Sequence, residues 1–262
     1  MKLFILTFFI SLYCSSQNFE VEYVYRINYI NDLTSENKKF LLNQNSENSI
    51  FSLVDLKDIK NFKHSNAVSL MKQNDTISLF SINDNIMLLL DEEKTYKNFK
   101  SYTQISTHLL QFKHEYVKDR TDMFNWEILN EKDTIIGDYT CKKAKTKFRG
   151  REYIACFSAD VANQGGPWKF DGLPGFILAI KSLDGFVSFE PSIIRFSKKN
   201  KTIENPFINK KTIAFEHLKD KELEARKMFF AKLKSNPNPP TSYTISKYVG
   251  IEDIGVGEST MD

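Results

Sequence analysis

The stretch from residue 19 to residue 30 alternates between apolar and polar side chains. Aromatic or aliphatic groups occupy every odd position from Phe19 to Tyr29, and charged or amide groups occupy most of the even positions. This period of two predicts a long strand with one buried face. Similar runs predict further strands at 39–43, 49–54, 76–82 and 86–90, with a turn at Asn83-Asp84-Asn85.

Later runs predict two hairpins. The runs 135–148 and 151–158 flank Arg149-Gly150, and the runs 176–183 and 186–196 flank Asp184-Gly185. Asp-Gly suits a tight primed turn because both residues tolerate positive φ. A strand is also predicted at 122–129. The chain holds 22 Phe and 11 Tyr, most of them in these runs, where aromatic side chains fit a pleated surface.

One late segment has helical periodicity. Between residues 212 and 233, apolar side chains such as Phe215, Leu218 and Met228 recur at helical spacing among Lys, Glu and Arg. We therefore predict a mainly β fold with minor α: a large curved antiparallel sheet or half-barrel with one late amphipathic helix. It would form a single antiparallel β domain over 17–240, followed by a flexible C-terminal tail over 241–262.

The first 16 residues have the features of a secretory signal peptide. Lys2 supplies the positive charge, residues 3–13 the apolar run, and Cys14-Ser15-Ser16 a small-residue cleavage site. The apolar run is shorter than the ~20 residues that span a bilayer, and no transmembrane segment is predicted elsewhere. We expect an exported protein, in the periplasm or associated with the outer membrane. Lipid anchoring at Cys14 is the less favoured alternative, because the bulky Tyr13 precedes it.

Charge and motifs exclude several function classes. The net charge of +3 is too small to indicate nucleic-acid binding. The four histidines lie in no pattern that marks a base beside a nucleophile, and no serine lies in a Gly-x-Ser-x-Gly turn. His108 and His114 lack the spacing of three or four that is typical of zinc-binding helices, so we expect both to face solvent. The sequence predicts no enzymatic activity, no cofactor and no metal site.

Cys141 and Cys156 lie on the two arms of the hairpin that turns at Arg149-Gly150. Two cysteines in an oxidising compartment favour a disulfide. A directly opposite pair can form one, whereas a diagonal pair lies too far apart. The alternative is two buried free thiols. In either case the expected role is structural.

Residues 165–177 contain four of the ten glycines and two of the seven prolines of the chain. So many glycines and prolines between two predicted strands indicate that the backbone of this loop follows a specific path. Pro174-Gly175 suits the central positions of a type II turn, because proline fixes φ and glycine tolerates the positive φ that follows. The apolar side chains of the loop would either anchor it to the core or line a hydrophobic cleft. They are Trp168, Phe170, Leu173 and Phe176.

The same segment resembles the signature of the GLPGLI family of exported Bacteroidetes proteins. The resemblance is carried by Gly172-Leu-Pro-Gly-Phe-Ile177 and by Gly166-Pro-Trp-Lys-Phe170, with further blocks in the same order along nearly the whole chain after residue 16. Phe176 replaces the leucine of the motif. The resemblance implies export and genes placed beside those of TonB-dependent outer-membrane receptors. It implies no established activity, cofactor or catalytic residue.

Two functional hypotheses follow. The first is a non-enzymatic cell-envelope protein that binds an apolar small molecule or lipid on a concave sheet, an architecture similar to periplasmic lipoprotein carriers. The second is an assembly protein that docks on a TonB-dependent outer-membrane receptor through the loop or an exposed sheet edge. In both, the candidate site is the loop containing Trp168, Phe170, Leu173, Pro174, Gly175 and Phe176.

Overall fold

A computed structural model describes most of the chain. The described residues are 18–28, 35–54, 71–73, 76–78, 93–110, 113–161, 163–197, 201–237, 242–245, 251–257 and 259–261. The predicted signal peptide and the predicted turn and strand at 83–90 lie outside them. The predicted mainly β fold with one late helix is confirmed: the structure is one large open sheet, mostly antiparallel, with a single helix among the described residues.

The strands are β1 (Asn18–Asn28), β2 (Ser35–Gln44), β3 (Asn48–Leu53), β4 (Met71–Gln73), β5 (Thr76–Ser78), β6 (Lys94–Asn98), β7 (Thr103–Leu110), β8 (Lys113–Arg120), β9 (Glu127–Ile128), β10 (Thr134–Ile136), β11 (Tyr139–Phe148), β12 (Arg151–Ser158), β13 (Phe176–Ser182), β14 (Val187–Ser197), β15 (Thr212–Ile213), β16 (Tyr243–Ile245) and β17 (Ser259–Met261). The helix is α1 (His217–Lys234).

The first strand lies in the middle of the sheet. The order is β10-β11-β12-β13-β14-β1-β2-β3-β6-β7-β8-β15, with β9 beside β11. Strand β1 pairs with β14 on one side and β2 on the other, both antiparallel. It therefore joins a half of the sheet built from residues before 121, with β15 added at its outer edge, to a half built from residues after 126. β15 is the one parallel neighbour among the paired strands of this sheet that the structure describes.

The face that carries the odd residues of β1 is covered, and we call it the inner face. Phe19, Val21, Tyr23 and Tyr25 are all buried there. The strand registers show which residues share this face farther along the sheet, through β2 and β3 to β6 and β7. On β6 and β7 the buried residues of the inner face are polar: Thr95, Lys97, Gln104, Ser106 and His108. The inner face is thus apolar on one half and polar on the other.

Both predicted hairpins are present, and one differs in its loop. Arg149 and Gly150 form a two-residue turn with φ of 41° and 83°, as a primed turn requires. The β13–β14 connection is longer than predicted, because the strands end at Ser182 and restart at Val187. Only Gly185 has positive φ there, at 72°. The Asp184 carboxylate accepts a hydrogen bond from the Phe186 N–H instead.

The helix begins later than predicted and buries a different face. Residues 212–213 form β15 against β8, and α1 starts at His217. Its buried residues are Leu218, Glu222 and Arg226, whereas Met228 is exposed. The Glu222 carboxylate accepts a 2.8 Å hydrogen bond from Arg226 Nε within the helix. Arg226 Nη1 also donates to the Gly257 carbonyl at 2.8 Å, so the buried face of the helix contacts the C-terminal segment through a polar side chain. No helix in the described ranges is long and apolar enough to cross a membrane.

Two other predictions differ from the structure. Of the predicted strand 122–129, only Glu127–Ile128 is a strand, because the preceding residues turn toward the loop, where Trp126 Nε1 donates to the Asp171 carbonyl. The segment 241–262, predicted to be a flexible tail, contributes β16 and β17, and its residues Glu252, Ile254 and Val256 are buried. Apolar burial holds this segment against the sheet.

Candidate functional site

The loop of residues 165–175, here the Gly-Pro loop, connects β12 to β13 across the inner face. Its candidate residues Phe170 and Leu173 are buried, as is Phe176 at the start of β13. The Phe170 ring lies 4.9 Å from the Tyr153 ring in a T-shaped contact. These three side chains belong to the main apolar core, whereas Pro174 is exposed and Trp168 is half-buried. The loop is therefore anchored to the core, with Trp168 at its margin.

The backbone path of the loop depends on its glycines and proline. The Gly175 N–H donates to the Leu173 carbonyl at 2.8 Å, a three-residue γ-turn around Pro174 in place of the predicted type II turn. Proline suits this position because its fixed φ matches an inverse γ-turn. Gly175 has φ of 152°, and an added Cβ would lie 2.4 Å from the Ser158 carbonyl oxygen. The chain passes too close to β12 for a larger residue.

Lys169 carries the loop's main polar contact with the sheet. Its side chain is 0% exposed, and Nζ donates to Asp119 Oδ2 at 3.0 Å and to Glu252 Oε2 at 2.7 Å. His108 Nε2 lies 3.1 Å from the same ammonium. Arg149 donates to both Asp119 oxygens and to Glu252. We call these five residues the Lys169 cluster; its two formal cations balance its two carboxylates.

A second buried cation fixes the other end of the loop. Lys97 of β6 is 1% exposed, and its Nζ donates to the Phe170 carbonyl at 2.5 Å, the Gly166 carbonyl at 3.2 Å and Asp171 Oδ2 at 3.2 Å. Burial lowers the pKa of Lys97, and the Asp171 carboxylate opposes this shift. Two lysines therefore tie the loop to the polar half of the inner face.

Burial and neighbouring charge shift the pKa values in the Lys169 cluster. Burial lowers the pKa of His108 well below 6.5, and the Lys169 charge lowers it further. The ring is therefore neutral at neutral pH and can accept a Lys169 N–H. Burial alone would raise the pKa of Asp119, but Lys169 and Arg149 outweigh it and hold that pKa below 3.8. The cluster is thus organised around an ionised Asp119 carboxylate and a neutral His108 imidazole.

The lowered pKa of His108 predicts a loss of stability as pH falls below 6.5. Between the folded and unfolded pKa values the unfolded imidazole binds a proton that the folded one does not, so stability rises with pH in that window. The wild-type free energy of unfolding should fall by about 1.4 kcal/mol per pH unit from this group. His108→Gln should remove that slope in urea unfolding curves between pH 7.5 and 5.5. His217→Gln, at an exposed position on α1, should keep it; equal slopes in all three proteins would contradict the assignment.

A cavity of about 200 Å³ opens beside the Lys169 cluster. Four buried aromatic residues of the inner face line it, namely Tyr25, Phe40, Phe51 and Phe189. The rings of Phe40 and Phe51 are stacked at 4.7 Å. Trp168 also lines the cavity. We call it the inner-face cavity, and among the candidate residues of the Gly-Pro loop, Trp168 is the one at its wall.

Polar groups line the rest of the inner-face cavity. His108 and Glu252 reach it from the Lys169 cluster, and Lys38, Glu93 and His114 add further polar groups. Lys38 Nζ lies 3.3 Å from Glu93 Oε1. The expectation that His108 and His114 face solvent is wrong: His108 is buried, and both His114 ring nitrogens are inaccessible to water. His108 lies on the covered inner face, and His114 lies opposite Leu109 in the β7–β8 register, on the other face of the sheet.

The cysteines adopt the diagonal arrangement. Cys156 lies opposite Lys143 in the β11–β12 register, two positions away from direct opposition to Cys141. Both are free thiols in this structure. Burial raises the pKa of the Cys141 thiol to about 11, which makes it unreactive at neutral pH. The disulfide stays a prediction.

Comparisons with known proteins bear on the fold. No protein-family model and no curated protein matches the sequence. Among solved structures the chain is similar to PNGF-II, with a TM-score of 0.50 and 17% identity over 80% of this chain. It spans 34% of the PNGF-II chain. A domain from an outer membrane lipoprotein-sorting protein of Vibrio parahaemolyticus gives a TM-score of 0.30 and 9% identity over 74% of this chain and 89% of that one. The likeness to PNGF-II shows a shared fold for this region.

Proposed function

We propose that this chain is a non-enzymatic binding protein of the cell envelope, and that the inner-face cavity is its binding site. The observation that carries the proposal is the cavity wall of Tyr25, Phe40, Phe51 and Phe189, buried aromatics that open onto about 200 Å³ of space. Ligand sites are typically concave and mostly apolar, with a few polar groups that set orientation.

The size of the cavity limits the ligand. A cavity of about 150 Å³ lined by Leu, Ile and Phe stays dry and takes benzene. The inner-face cavity is of this order, so it fits one aromatic ring or the end of a branched or acyl chain. A complete lipid would extend beyond the cavity. The Gly-Pro loop occupies much of the inner face, which narrows the apolar-ligand hypothesis from an open groove to a small pocket.

The ionic groups support a binding protein over an enzyme. Lys169 is paired with both Asp119 and Glu252, and these contacts hold the Gly-Pro loop on the sheet. In this proposal the ion pairs of Lys169 serve to position the neighbouring Trp168 at the cavity wall. An envelope location and membership of the GLPGLI family rest on the leader and on the signature at 166–177. The buried loop side chains favour a structural role for that signature, which leaves a sheet edge as the contact for any docking on an outer-membrane receptor.

Filling the cavity should abolish binding. Ile27 lines the cavity and is half-buried, so Ile27→Trp would place an indole in the available space. Ile193→Trp makes the same substitution at an exposed position of β14 that does not line the cavity. The full chain would be purified from the envelope fraction and measured by native mass spectrometry. It would also be titrated with 4-fluorobenzyl alcohol, followed by fluorine NMR.

The wild type and Ile193→Trp are expected to carry an added mass that organic solvent extracts, and to broaden the fluorine resonance of the probe. Ile27→Trp is expected to do neither. A wild type with no added mass and no effect on the probe would refute the proposal. Equal binding by all three proteins would place the ligand elsewhere on the molecule.

A further inference from the structure

His114 presents an unusual polar group at the inner-face cavity. The residue lines the cavity, and both of its ring nitrogens are buried with no hydrogen-bond partner among the described residues. Leaving a buried donor or acceptor without a partner costs about 1–3 kcal/mol. A polar group of a bound ligand would remove this penalty. The ligand therefore has a polar end as well as an apolar part.

The charges around the cavity indicate the sign of that polar end. Lys38 lines the cavity with a side chain only 16% exposed, and its contact with Glu93 at 3.3 Å uses one of three ammonium donors. The other carboxylate at the wall, Glu252, is held by Lys169 and Arg149. Cavity-lining and cluster residues together present four basic side chains, Lys38, Lys94, Arg149 and Lys169, against three carboxylates, Glu93, Asp119 and Glu252.

We propose that the ligand is a small organic carboxylate with an aromatic or branched apolar part. Its apolar part would lie against Phe40 and Phe51, and its carboxylate would accept hydrogen bonds from Lys38 and His114. Charge-assisted hydrogen bonds of this kind are stronger than neutral ones. This inference rests on the proposed function, because it assigns the chemistry of the ligand in the same cavity.

A cationic or neutral polar end fits the cavity less well. An ammonium group would be repelled by Lys38, and the carboxylates that could attract it are already engaged with Lys38, Lys169 and Arg149. A neutral alcohol could bond to His114 but would gain nothing from the lysine. A carboxylate satisfies both groups with its two oxygens, each of which can accept more than one hydrogen bond.

Two matched probes separate this inference from the proposed function. 4-Fluorophenylacetate and 4-fluorophenylacetamide share the same ring and differ in the charge of the polar end. Each would be titrated into the full chain and into Lys38→Met, with Lys39→Met as the control because Lys39 is exposed and does not line the cavity. Fluorine NMR gives the Kd for each pair.

The carboxylate is expected to bind at least about tenfold more tightly than the amide to the wild type, as one charge-assisted hydrogen bond predicts. Lys38→Met should remove that preference, whereas Lys39→Met should keep it. Equal affinity for both probes would overturn the carboxylate assignment and leave the cavity as an apolar binding site. A preference that survives Lys38→Met would overturn the role given to this lysine. Failure of both probes to bind would overturn the proposed function itself.

Discussion

Replacing Lys169 with methionine is expected to lower the free energy of unfolding by about 3–5 kcal/mol, the range found when one partner of a buried ion pair is removed. Methionine fills a similar volume but cannot donate to Asp119 or Glu252, which accept at 3.0 and 2.7 Å. Arg149 alone would then face two buried carboxylates. The Gly-Pro loop would also lose its main polar contact with β8 and the C-terminal segment.

Urea unfolding at neutral pH measures this change, with Lys145→Met as the matched control. Lys145 forms an ion pair of 2.8 Å with Glu152, but both side chains are more than a third exposed, so its loss should cost far less stability than the loss of Lys169. Adding Glu252→Gln to Lys169→Met restores the charge balance and should recover part of the lost stability. A loss below 1 kcal/mol for Lys169→Met would show that its ammonium is hydrated rather than paired.

Strands β1–β3 and β11–β14 could be predicted from local patterns, whereas β6, β7 and β8 were not predicted. The alternation in β1 is sufficient to predict which of its faces is buried. One face of that strand is apolar and the other polar, so residue type and burial coincide. The same argument fails on β7, where Gln104, Ser106 and His108 face inward and are buried. Because these side chains are polar, the sequence pattern of β7 predicts that its inner face is exposed to solvent. The polar composition of this stretch therefore leads to the wrong expectation that both histidines face solvent.

The ionic contacts of the Gly-Pro loop could not be predicted because their partners are distant in sequence. Lys169 is 83 positions from Glu252, and Lys97 is 74 positions from Asp171. Glu252 lies in a segment whose glycines and acidic residues are typical of a frayed end. The available indication was Lys169 between Trp168 and Phe170, with Asp171 directly after Phe170. A loop whose aromatic side chains pack on the core must either bury or expose the charged side chains beside them.

The apolar candidate residues of the Gly-Pro loop show a second limit of prediction from sequence. Trp168, Phe170 and Leu173 have the composition of a ligand cleft and equally of a core. Burial separates them: Phe170 and Leu173 pack inside, and Trp168 lines the cavity. The backbone accounts for the difference, because Trp168 has φ of 49°, a left-handed conformation that alters the direction of the chain between its two neighbours. Residue type alone carries no information on that direction.

Substituting Gly175 with alanine is expected to destabilise the protein by about 3 kcal/mol or more, because two unfavourable effects combine. The φ of 152° suits glycine, and the new Cβ would lie 2.4 Å from the Ser158 oxygen and 2.7 Å from its carbonyl carbon. These are backbone atoms of β12 and cannot rotate away. The strand or the loop must move, and the loop is the element that can detach.

Gly185→Ala separates the two effects, since Gly185 has φ of 72° with nothing within 4 Å of an added Cβ. It should lose only the about 1–2 kcal/mol that a left-handed alanine costs. The two tryptophans of the chain, Trp126 and Trp168, both contact the Gly-Pro loop or belong to it, so their fluorescence reports on it directly. Gly175→Ala should shift their emission to longer wavelength while far-ultraviolet circular dichroism still shows an intact sheet. Equal destabilisation by the two substitutions would mean that the close approach of the loop to β12 contributes nothing, and the dense glycine signature would then need another explanation.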